Sequence, residues 1–316
     1  MDRTANEQVL VVHSLDAFPS EAQRGVVTVG NFDGVHRGHA QIINQLRQIA
    51  DRLQGPAVVF TFDPHPMTLL NPEQAPGSLS GIRRKTELLE SLGVDVVVVC
   101  PTDRELLSWE PDEFFERVLV ERLQTRAMIE GANFRFGKSR AGDVDTLQQL
   151  CGEHEIELAI CPPVVSGNEV ISSSRVRKLI QSGEVEQANE LLCLPYRICG
   201  TVTKGAARGA ALGFPTANLT EIPNLVPAPG VYAALAVLDG RRIAAAVHIG
   251  PNPTFGESAM KVEVHLLDFN DDIYGVVLEV EFVKRLRGTV SFESPQLLRD
   301  QLQQDVASVR ALPDMP

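Results

Sequence analysis

The sequence predicts two domains of different fold class. The first is an α/β domain with a doubly wound parallel sheet, and the second is a small antiparallel β-barrel with a C-terminal helix. Short apolar strands alternate with helical stretches from residue 26 to about residue 182. From about residue 196, successive strands are separated by Gly, Pro, Asn and Asp turns. The length of 316 residues is sufficient for two separate cores.

Each predicted element of the first half follows from its own apolar pattern. Short β-branched runs indicate buried strands, and apolar residues at helical spacing indicate amphipathic helices. The strands are residues 26–29, 58–62, 96–99, 127–130 and 158–161, and the helices are residues 40–46, 82–92, 111–123 and 146–154. Ligands of such sheets bind beyond the carboxyl ends of the strands, so phosphate-directed residues are expected in the loops that follow them.

The second half predicts a run of strands closed by one helix. The strands are residues 198–203, 230–238, 242–249, 261–267 and 276–283, and the helix is 294–310. A helical hairpin at residues 181–195, which ends in Leu-Pro, is the expected bridge between the halves. The predicted domains are therefore residues 1–185 and 186–316.

The composition is that of an ordinary soluble globular protein. A net charge of -12 argues against a general nucleic-acid binder, because counterion release needs a basic face. The five cysteines show no Cys-x-x-Cys spacing, which favours reduced thiols in a cytoplasmic protein over a zinc site or a disulfide framework. The longest apolar runs are too short to span a bilayer, and the N-terminus lacks the apolar region of an export signal.

A turn rich in glycine and histidine predicts a phosphate site between the first strand and the first helix. Residues 29–39 read Val-Gly-Asn-Phe-Asp-Gly-Val-His-Arg-Gly-His. The three glycines allow close backbone approach, and the N–H groups at the helix start favour an anion. His36 and His39 share one helical face, so both can point at that anion and stabilise charge that grows on it. The alternative is a pair of surface histidines after an ordinary turn.

Two later loops carry similar residues. His65 lies in a Thr-Phe-Asp-Pro-His-Pro segment that follows the second strand, although a purely structural turn would also use two prolines. Residues 131–143, which include Asn133 and Phe136, mix aromatic, basic and glycine residues, as expected of a loop that stacks a ring and contacts phosphate. The Gly-Lys-Ser within this loop is not a P-loop, because Ala132 occupies the position of the required first glycine.

A serine cluster completes the set in the first half. Residues 171–180 read Ile-Ser-Ser-Ser-Arg-Val-Arg-Lys-Leu-Ile. Ser173 and Ser174 offer hydroxyl and N–H groups at a helix N-terminus, and Arg177, one turn later, can hold the same anion with its bidentate fork. A plain N-cap before an amphipathic helix is the alternative.

A glycine-rich flap and a carboxylate predict a phosphate-transfer site in the second half. The flap, residues 200–219, ends in Pro-Thr-Ala-Asn. Thr216 and Asn218 alternate in an extended chain, so their oxygens share one side, which suits Mg²⁺. Glu263 and His265 share the polar face of a strand, where Glu263 can accept the proton of an attacking hydroxyl. The alternatives are an ordinary glycine-rich hairpin and a solvated strand glutamate.

Taken in order, these motifs resemble a known family. Gly-x-Phe-Asp-Gly-x-His-x-Gly-His, Pro-His-Pro, Asn-Phe-x-Phe-Gly and Ile-Ser-Ser-x-x-x-Arg resemble the Rossmann-like FAD synthetase module of the bacterial bifunctional riboflavin kinase/FMN adenylyltransferases, within the His-x-Gly-His nucleotidyltransferase superfamily. Gly-Phe-Pro-Thr-Ala-Asn, Pro-Gly-Val-Tyr, the segment at residues 249–256 and Glu-Val-His-Leu-Leu-Asp-Phe are similar to the riboflavin kinase family. The resemblance implies that ATP phosphorylates riboflavin to FMN, and that a second ATP adenylylates FMN to FAD with release of pyrophosphate.

The resemblance also implies a role for each candidate residue. The implied catalytic residues are His36, His39, Arg177 and Glu263, and the implied Mg²⁺ ligands are Thr216 and Asn218. The implied substrate-binding residues are Gly30, Asn31, Phe32, Asp33, Gly34, Gly38, His65, Asn133, Phe136, Ser173, Ser174, Lys204, Gly205, Arg208, Gly209 and Gly213. The expected partners are ATP, riboflavin and FMN, with neither nucleic acid nor membrane, and a homo-oligomer stays open.

The second half departs from the riboflavin kinase pattern at two flap positions. Ala210 stands where the family commonly has Arg, and Lys204 stands where His is common, while Arg208 remains nearby. Two other functions stay open: an adenylyltransferase for another phosphorylated metabolite with a vestigial barrel, and a flavin-binding module that turns nothing over. Glycine loops and acid–base residues in both halves favour the enzyme with two activities.

Overall fold

The computed structural model describes residues 8–205, 208–251, 259–313 and 315. Contacts within the chain divide it into two compact units. The first contains the residues up to Pro76 together with Ile82–Ser172, and the second contains Gly77–Gly81 together with the residues from Ser173 onward. The domain boundary at residues 185 and 186 stays a prediction.

The first unit is a parallel sheet with helices between its strands. The strands are β1 (Leu10–Val12), β2 (Val26–Val29), β3 (Ala57–Asp63), β4 (Val96–Pro101), β5 (Ala127–Gly131) and β6 (Glu157–Cys161), followed by the short hairpin of β7 (Val165–Ser166) and β8 (Glu169–Val170). The helices are α1 (Arg37–Leu53), α2 (Pro66–Leu70), α3 (Ile82–Ser91), α4 (Pro111–Phe114), which continues into the π-helical segment Phe115–Arg122, and α5 (Val144–Glu153).

The strand order places the start of α1 at the switch point of this sheet. The order is β1-β4-β3-β2-β5-β6, and every pair is parallel. After β2 the chain builds outward through β3 and β4, then returns to the other side of β2 with β5. The carboxyl ends of β2, β3 and β5 are therefore neighbours at one edge, where ligands of doubly wound sheets bind.

The interior of the first unit is made by apolar strands and by one face of each helix. All four residues of β2 are buried, and so are the first five of β3 and of β4, because both faces of a parallel sheet are covered. Helix α1 contributes Ile43, Leu46 and Ala50, which recur at helical spacing and are at most 1% exposed. This packing fixes the N-terminus of α1 against the sheet.

The described residues of the second unit form a closed barrel and four helices. The helices are α6 (Ser173–Ser182), α7 (Val185–Leu191), α8 (Arg208–Ala211) and α9 (Pro295–Arg310). The strands are β9 (Arg197–Thr203), β10 (Ala217–Thr220), β11 (Gly230–Leu238), β12 (Arg241–Gly250), β13 (Lys261–Leu266) and β14 (Val277–Arg287). They pair antiparallel in the cyclic order β10-β13-β12-β11-β14-β9.

Side-chain alternation explains how the barrel closes and why α9 packs on it. Along β13, Val262 and Val264 are at most 7% exposed, while Glu263 lies on the opposite, partly exposed face. Helix α9 is capped by Ser294, whose hydroxyl accepts a hydrogen bond from the N–H of Leu297. Its Val309 is fully buried in an apolar cluster with barrel residues.

The predicted fold class is confirmed in both units. The sequence did not predict β1 and β10, which have three and four residues and are defined by their pairing with neighbouring strands. The hairpin expected at residues 181–195 consists of α6 and α7, so its first helix lies earlier than expected. Within the described ranges, no helix has the length and apolar character needed to cross a bilayer.

Candidate active sites

The turn after β2 holds His36 and His39 in a reciprocal cap at the start of α1. Nδ1 of His36 accepts a hydrogen bond from the backbone N–H of His39, and Nδ1 of His39 accepts one from the backbone N–H of His36, both at 3.3 Å. The rings stack with their centroids 3.7 Å apart and an interplanar angle of 13°. An imidazole that accepts at Nδ1 carries its proton on Nε2, so both rings can donate from Nε2 to an anion.

The surroundings of His39 favour its neutral form. Burial lowers the pKa of the His39 imidazole well below its usual value, and the neighbouring His36 and Lys85 lower it further. His36 itself is 6% exposed. The pair is therefore suited to stabilise phosphate by neutral N–H donation rather than as two imidazolium ions.

The other residues of this turn are packed closely around the histidines. The ring of Phe32 lies 4.9 Å from that of His39, and the Asp33 carboxylate is buried. Phe32 and Val35 have φ angles of 45° and 39°, a left-handed backbone that is rare for bulky residues and costs free energy. A β-carbon at Gly38 would lie 3.1 Å from the His36 ring, so a larger residue there would have to displace that ring by a few tenths of an ångström.

The loop after β3 contacts the histidine turn through a chain of hydrogen bonds. The Asn31 side-chain amide lies 3.0 Å from Nε2 of His65, whose Nδ1 accepts the N–H of Met67 and so caps α2. The hydroxyl of Thr61 donates to the backbone carbonyl of Asn31 at 3.1 Å, and Nζ of Lys85 donates to that hydroxyl at 3.3 Å. The structure thus brings the predicted His65 and Asn31 together.

Lys85 is a site neighbour that the sequence reasoning missed. It lies on the buried face of α3 with Leu88 and Leu89. The signal was present in the sequence, because residues three and four positions apart form one helix face and a lysine occupies a place there that the pattern reserves for an apolar residue. Such a lysine is seldom buried without a partner.

The loop after β5 forms a cavity beside the same sheet edge. A cavity of about 560 Å³ is lined by Asn133, Phe134, Arg135 and Asp143 among others. Phe136 is 6% exposed and packs in the core, where it stacks on Phe134 at 5.4 Å. The predicted Asn133 therefore borders an open space, and Phe134 is the aromatic side chain that faces it.

The predicted anion-binding residues of the serine cluster lie in the second unit. Ser173 and Ser174 form the first turn of α6, and Arg177 lies one turn later, as the sequence predicts. Nε of Arg177 donates to the backbone carbonyl of Gly77 at 2.8 Å. Their contribution to the phosphate held by the histidines stays a prediction.

In the barrel, three adjacent strands place Asn218, Glu263 and His248 in one row. Asn218 on β10 is directly opposite Glu263 on β13, and Glu263 is directly opposite His248 on β12. Nδ1 of His248 lies 3.3 Å from a carboxylate oxygen of Glu263, and the two side chains are 23% and 19% exposed. The sequence reasoning did not include His248, because only the strand register brings it to Glu263.

The flap packs against the predicted metal ligands. A β-carbon at Gly205 would overlap the side-chain amide of Asn218, and one at Gly209 would overlap the Phe214 carbonyl and lie 3.5 Å from the hydroxyl of Thr216. The backbone of the flap can therefore approach Thr216 and Asn218 only because glycine occupies both positions. These neutral oxygens, completed by substrate phosphates, fit the hard, oxygen-seeking character of Mg²⁺.

The structure describes some of the remaining candidate residues of the flap and its neighbour His265, and leaves others outside the described ranges. Nδ1 of His265 lies 2.8 Å from the Pro215 carbonyl, next to Thr216, and the ammonium of Lys204 lies 5.7 Å from the centre of the Tyr274 ring. Gly213 is an exposed turn residue with a φ of 91°. The side chain of Arg208, like residues 206–207 and 252–258, lies outside the described part of the chain.

Comparisons with known proteins match both halves. The family model described as FAD synthetase matches residues 18–175, and the one described as riboflavin kinase matches residues 192–312. Bifunctional riboflavin kinase/FMN adenylyltransferases of Pseudomonas fluorescens and Haemophilus influenzae are 36% and 35% identical to this chain, over 96% and 90% of it and 97% and 93% of their own lengths. A Streptococcus pneumoniae crystal structure described as a macrolide-efflux protein matches 96% of this chain and 99% of its own, with a TM-score of 0.86 and 28% identity.

Proposed function

The chain belongs to the family of bifunctional riboflavin kinase/FMN adenylyltransferases, and from that premise we propose the residues that carry its two reactions. The protein is an ATP-dependent transferase with both activities: it phosphorylates riboflavin to FMN and adenylylates FMN to FAD. The observation that carries the residue assignment is the stacked, reciprocally capped histidine pair at the switch point of the parallel sheet.

The barrel carries the kinase reaction. The ribityl 5′-hydroxyl of riboflavin attacks the γ-phosphorus of ATP, the bond to the ADP oxygen breaks, and Glu263 accepts the hydroxyl proton. His248 contacts the Glu263 carboxylate and orients it. Thr216 and Asn218 would hold Mg²⁺, which would neutralise charge on the phosphates. The backbone of Gly205 and Gly209, which lies against these two residues, covers the nucleotide.

The parallel-sheet unit carries the adenylylation. A phosphate oxygen of FMN attacks the α-phosphorus of a second ATP, and the bond to the pyrophosphate oxygen breaks. His36 and His39 donate from Nε2 to the phosphate oxygens on which charge grows. The predicted contribution of Arg177, which belongs to the second unit, is a bidentate contact to phosphate. Asn133 and Phe134 line the space for the rest of the substrates. No covalent intermediate with the protein is needed, because the FMN phosphate is already a nucleophile.

Two single substitutions separate the activities. We expect His39→Gln to lower FAD formation about a hundredfold or more, since it removes a donor to the transition state, while FMN formation continues. We expect Glu263→Gln to lower FMN formation by about a hundredfold or more, while FAD still forms from supplied FMN. Both rates are measured by separating the flavins after incubation with ATP and Mg²⁺. Loss of both activities in either folded variant would contradict two separate sites.

The wild-type products distinguish the alternatives. FAD from riboflavin supports the two-site enzyme, FMN alone would leave only the kinase, and unchanged riboflavin would favour a binding module. We further propose that the enzyme acts in the cytoplasm on small molecules alone, which its net charge of -12 and its cysteine spacing favour. A gel-filtration mass would decide between a monomer and a homo-oligomer.

A further inference from the structure

Lys85 is a buried lysine that neither proposed reaction uses. Lys85 is only 7% exposed and lies on the apolar face of α3. Burial of an ammonium costs several kcal/mol unless other groups compensate for the lost water. Burial lowers the pKa of Lys85, and the nearby carboxylates of Asp33 and Asp63 raise it in opposition. The two carboxylates therefore favour the charged form of this buried ammonium, close to the histidine turn.

The first consequence of this position is a mechanical link to the turn. Nζ of Lys85 donates to the hydroxyl of Thr61 at 3.3 Å, which donates to the carbonyl of Asn31 at 3.1 Å. Asn31 follows the last residues of β2, and its own side chain contacts His65 at 3.0 Å. One ammonium thus connects α3 and β3 to the backbone that leads into the two histidines.

The second consequence concerns the protonation of His39. Its Nδ1 accepts the backbone N–H of His36, which an imidazolium cannot do, because both of its ring nitrogens carry protons. The reciprocal cap therefore requires neutral His39. Burial is the largest cause of the lowered pKa of His39, and the neighbouring His36 and Lys85 lower this pKa further.

We propose that Lys85 is a positioning residue of the adenylylation site: through Thr61 it holds the Asn31 backbone, and it places a positive charge beside the histidine pair. This inference rests on the proposed function, since the turn it positions is the one assigned to FMN adenylylation. Its loss should disturb that reaction and leave the barrel reaction intact.

The kinetic test compares Lys85→Met with Arg83→Met. Arg83 lies on the same helix with 77% of its side chain exposed, so its substitution removes an equal charge away from the turn. We expect kcat/KM for FAD formation from FMN to fall on the order of tenfold to a hundredfold in Lys85→Met and to stay unchanged in Arg83→Met. Riboflavin phosphorylation should be unchanged in both variants, and far-UV circular dichroism is the control for folding of the parallel-sheet unit.

A titration supplies a readout that a merely structural role would not move. Followed by NMR of the histidine rings, with His39 assigned by the signal lost in His39→Gln, the pKa of His39 should be higher in Lys85→Met than in the wild type or Arg83→Met. Thr61→Val keeps the ammonium and breaks the link, so it should lower kcat/KM without moving this pKa, and Thr61→Ser should restore kcat/KM.

The outcomes are separable. Wild-type kcat/KM in Lys85→Met, or an unmoved His39 pKa in that variant, would overturn the proposal. If Lys85→Met does not fold, Thr61→Val decides, and wild-type kcat/KM in that variant would overturn it. Failure of the wild-type protein to make FAD from FMN would instead refute the proposed function, and the titration of His39 does not depend on turnover.

Discussion

At the scale of single residues, Glu130 is a carboxyl group whose ionised form is disfavoured by burial in the fold. It lies on β5, is 2% exposed, and one of its carboxylate oxygens accepts the backbone N–H of Val29 at 2.6 Å, immediately before the histidine turn. Burial raises the pKa of Glu130 well above its usual value, although hydrogen bonds partly oppose the shift. The protonated form is therefore the one that the native state favours.

We expect Glu130→Gln to stabilise the protein increasingly as the pH rises. A carboxyl whose pKa is raised on folding contributes stability below its unfolded pKa, and this contribution is lost as the pH rises toward its folded pKa. Glutamine keeps an acceptor for Val29 without this loss. The difference in free energy of unfolding between variant and wild type should thus grow above about pH 4.5, by at most about 1.4 kcal/mol per pH unit.

Urea unfolding at several pH values measures this difference. Glu157→Gln is the matched control, because Glu157 is on the neighbouring strand β6 but is 45% exposed in a surface pair with Arg52. Its substitution should change the free energy of unfolding little, because solvent screens the exposed pair. A pH-independent difference for Glu130→Gln would mean that folding does not raise the pKa of this carboxyl.

Residues in one contiguous motif could be predicted from the sequence, and residues that meet only in the fold could not. His36 and His39 are adjacent on a helix by spacing alone, and the structure stacks them. Lys85 and His248 reach their partners only through the packing of α3 and the register of β12 on β13. A single sequence contains the residue types of such contacts but not the pairing.

At the scale of elements, α9 is held on the barrel by one buried ion pair and one exposed ion pair. Asp305 is 4% exposed and accepts three hydrogen bonds from the Arg287 guanidinium, at 3.0 Å, 3.2 Å and 2.8 Å. Arg310 near the end of the same helix contacts Asp268 at 2.8 Å, but both side chains are more than half exposed. Both pairs connect α9 to the same unit, but the Asp305 pair is buried and the Asp268 pair is exposed to solvent.

We expect Asp305→Ala to lower the free energy of unfolding of the barrel by about 3–5 kcal/mol, because it leaves the Arg287 charge without its buried partner. Asp268→Asn is the matched control and should leave the unfolding midpoint nearly unchanged, since solvent screens the exposed pair. Denaturant unfolding followed by the kinase activity measures both. Equal effects would show that burial does not decide the strength of these pairs.

Element boundaries could be predicted where a pattern is long and not where pairing defines the element. Strand β11 (Gly230–Leu238) has the predicted bounds, and α9 starts one residue after its predicted start because Ser294 is its N-cap. The helix expected at residues 111–123 is divided into α4 and a π-helical segment, Phe115–Arg122. The apolar spacing of residues 111–123 indicates a helix, but it does not specify where the i→i+5 hydrogen bonds of a π-helical segment replace those of the α-helix.

At the scale of the whole molecule, each unit has its own core and its own chemistry. The sequence pattern predicted this division. Alternating strands and helices in the first half indicate a parallel sheet covered by helices, and the run of strands in the second half indicates a barrel. In the proposed mechanism the two sites also differ in their charged groups, with neutral N–H donors in the first unit and a carboxylate base in the second. The two reactions should therefore be separable not only by substitution but also between molecules.

We expect a mixture of His39→Gln and Glu263→Gln proteins to convert riboflavin to FAD, although neither variant does so alone. The first has an intact kinase site and the second has an intact adenylylation site. FMN made by the first must dissociate and bind to the second, so FAD should appear after a lag that shortens as the concentration of the Glu263→Gln protein rises. Separation of the flavins over time measures the lag.

The lag tests whether FMN passes through solution between the two sites. If FMN leaves the kinase site into solution, the mixture should reach the same final yield of FAD as the wild type and differ only in its early time course. The control is Glu263→Gln supplied with FMN, which should form FAD without a lag. A mixture in which FMN formation stops at one FMN per His39→Gln chain and no FAD appears, while this control succeeds, would mean that FMN does not dissociate from the His39→Gln protein and must be used by the chain that made it.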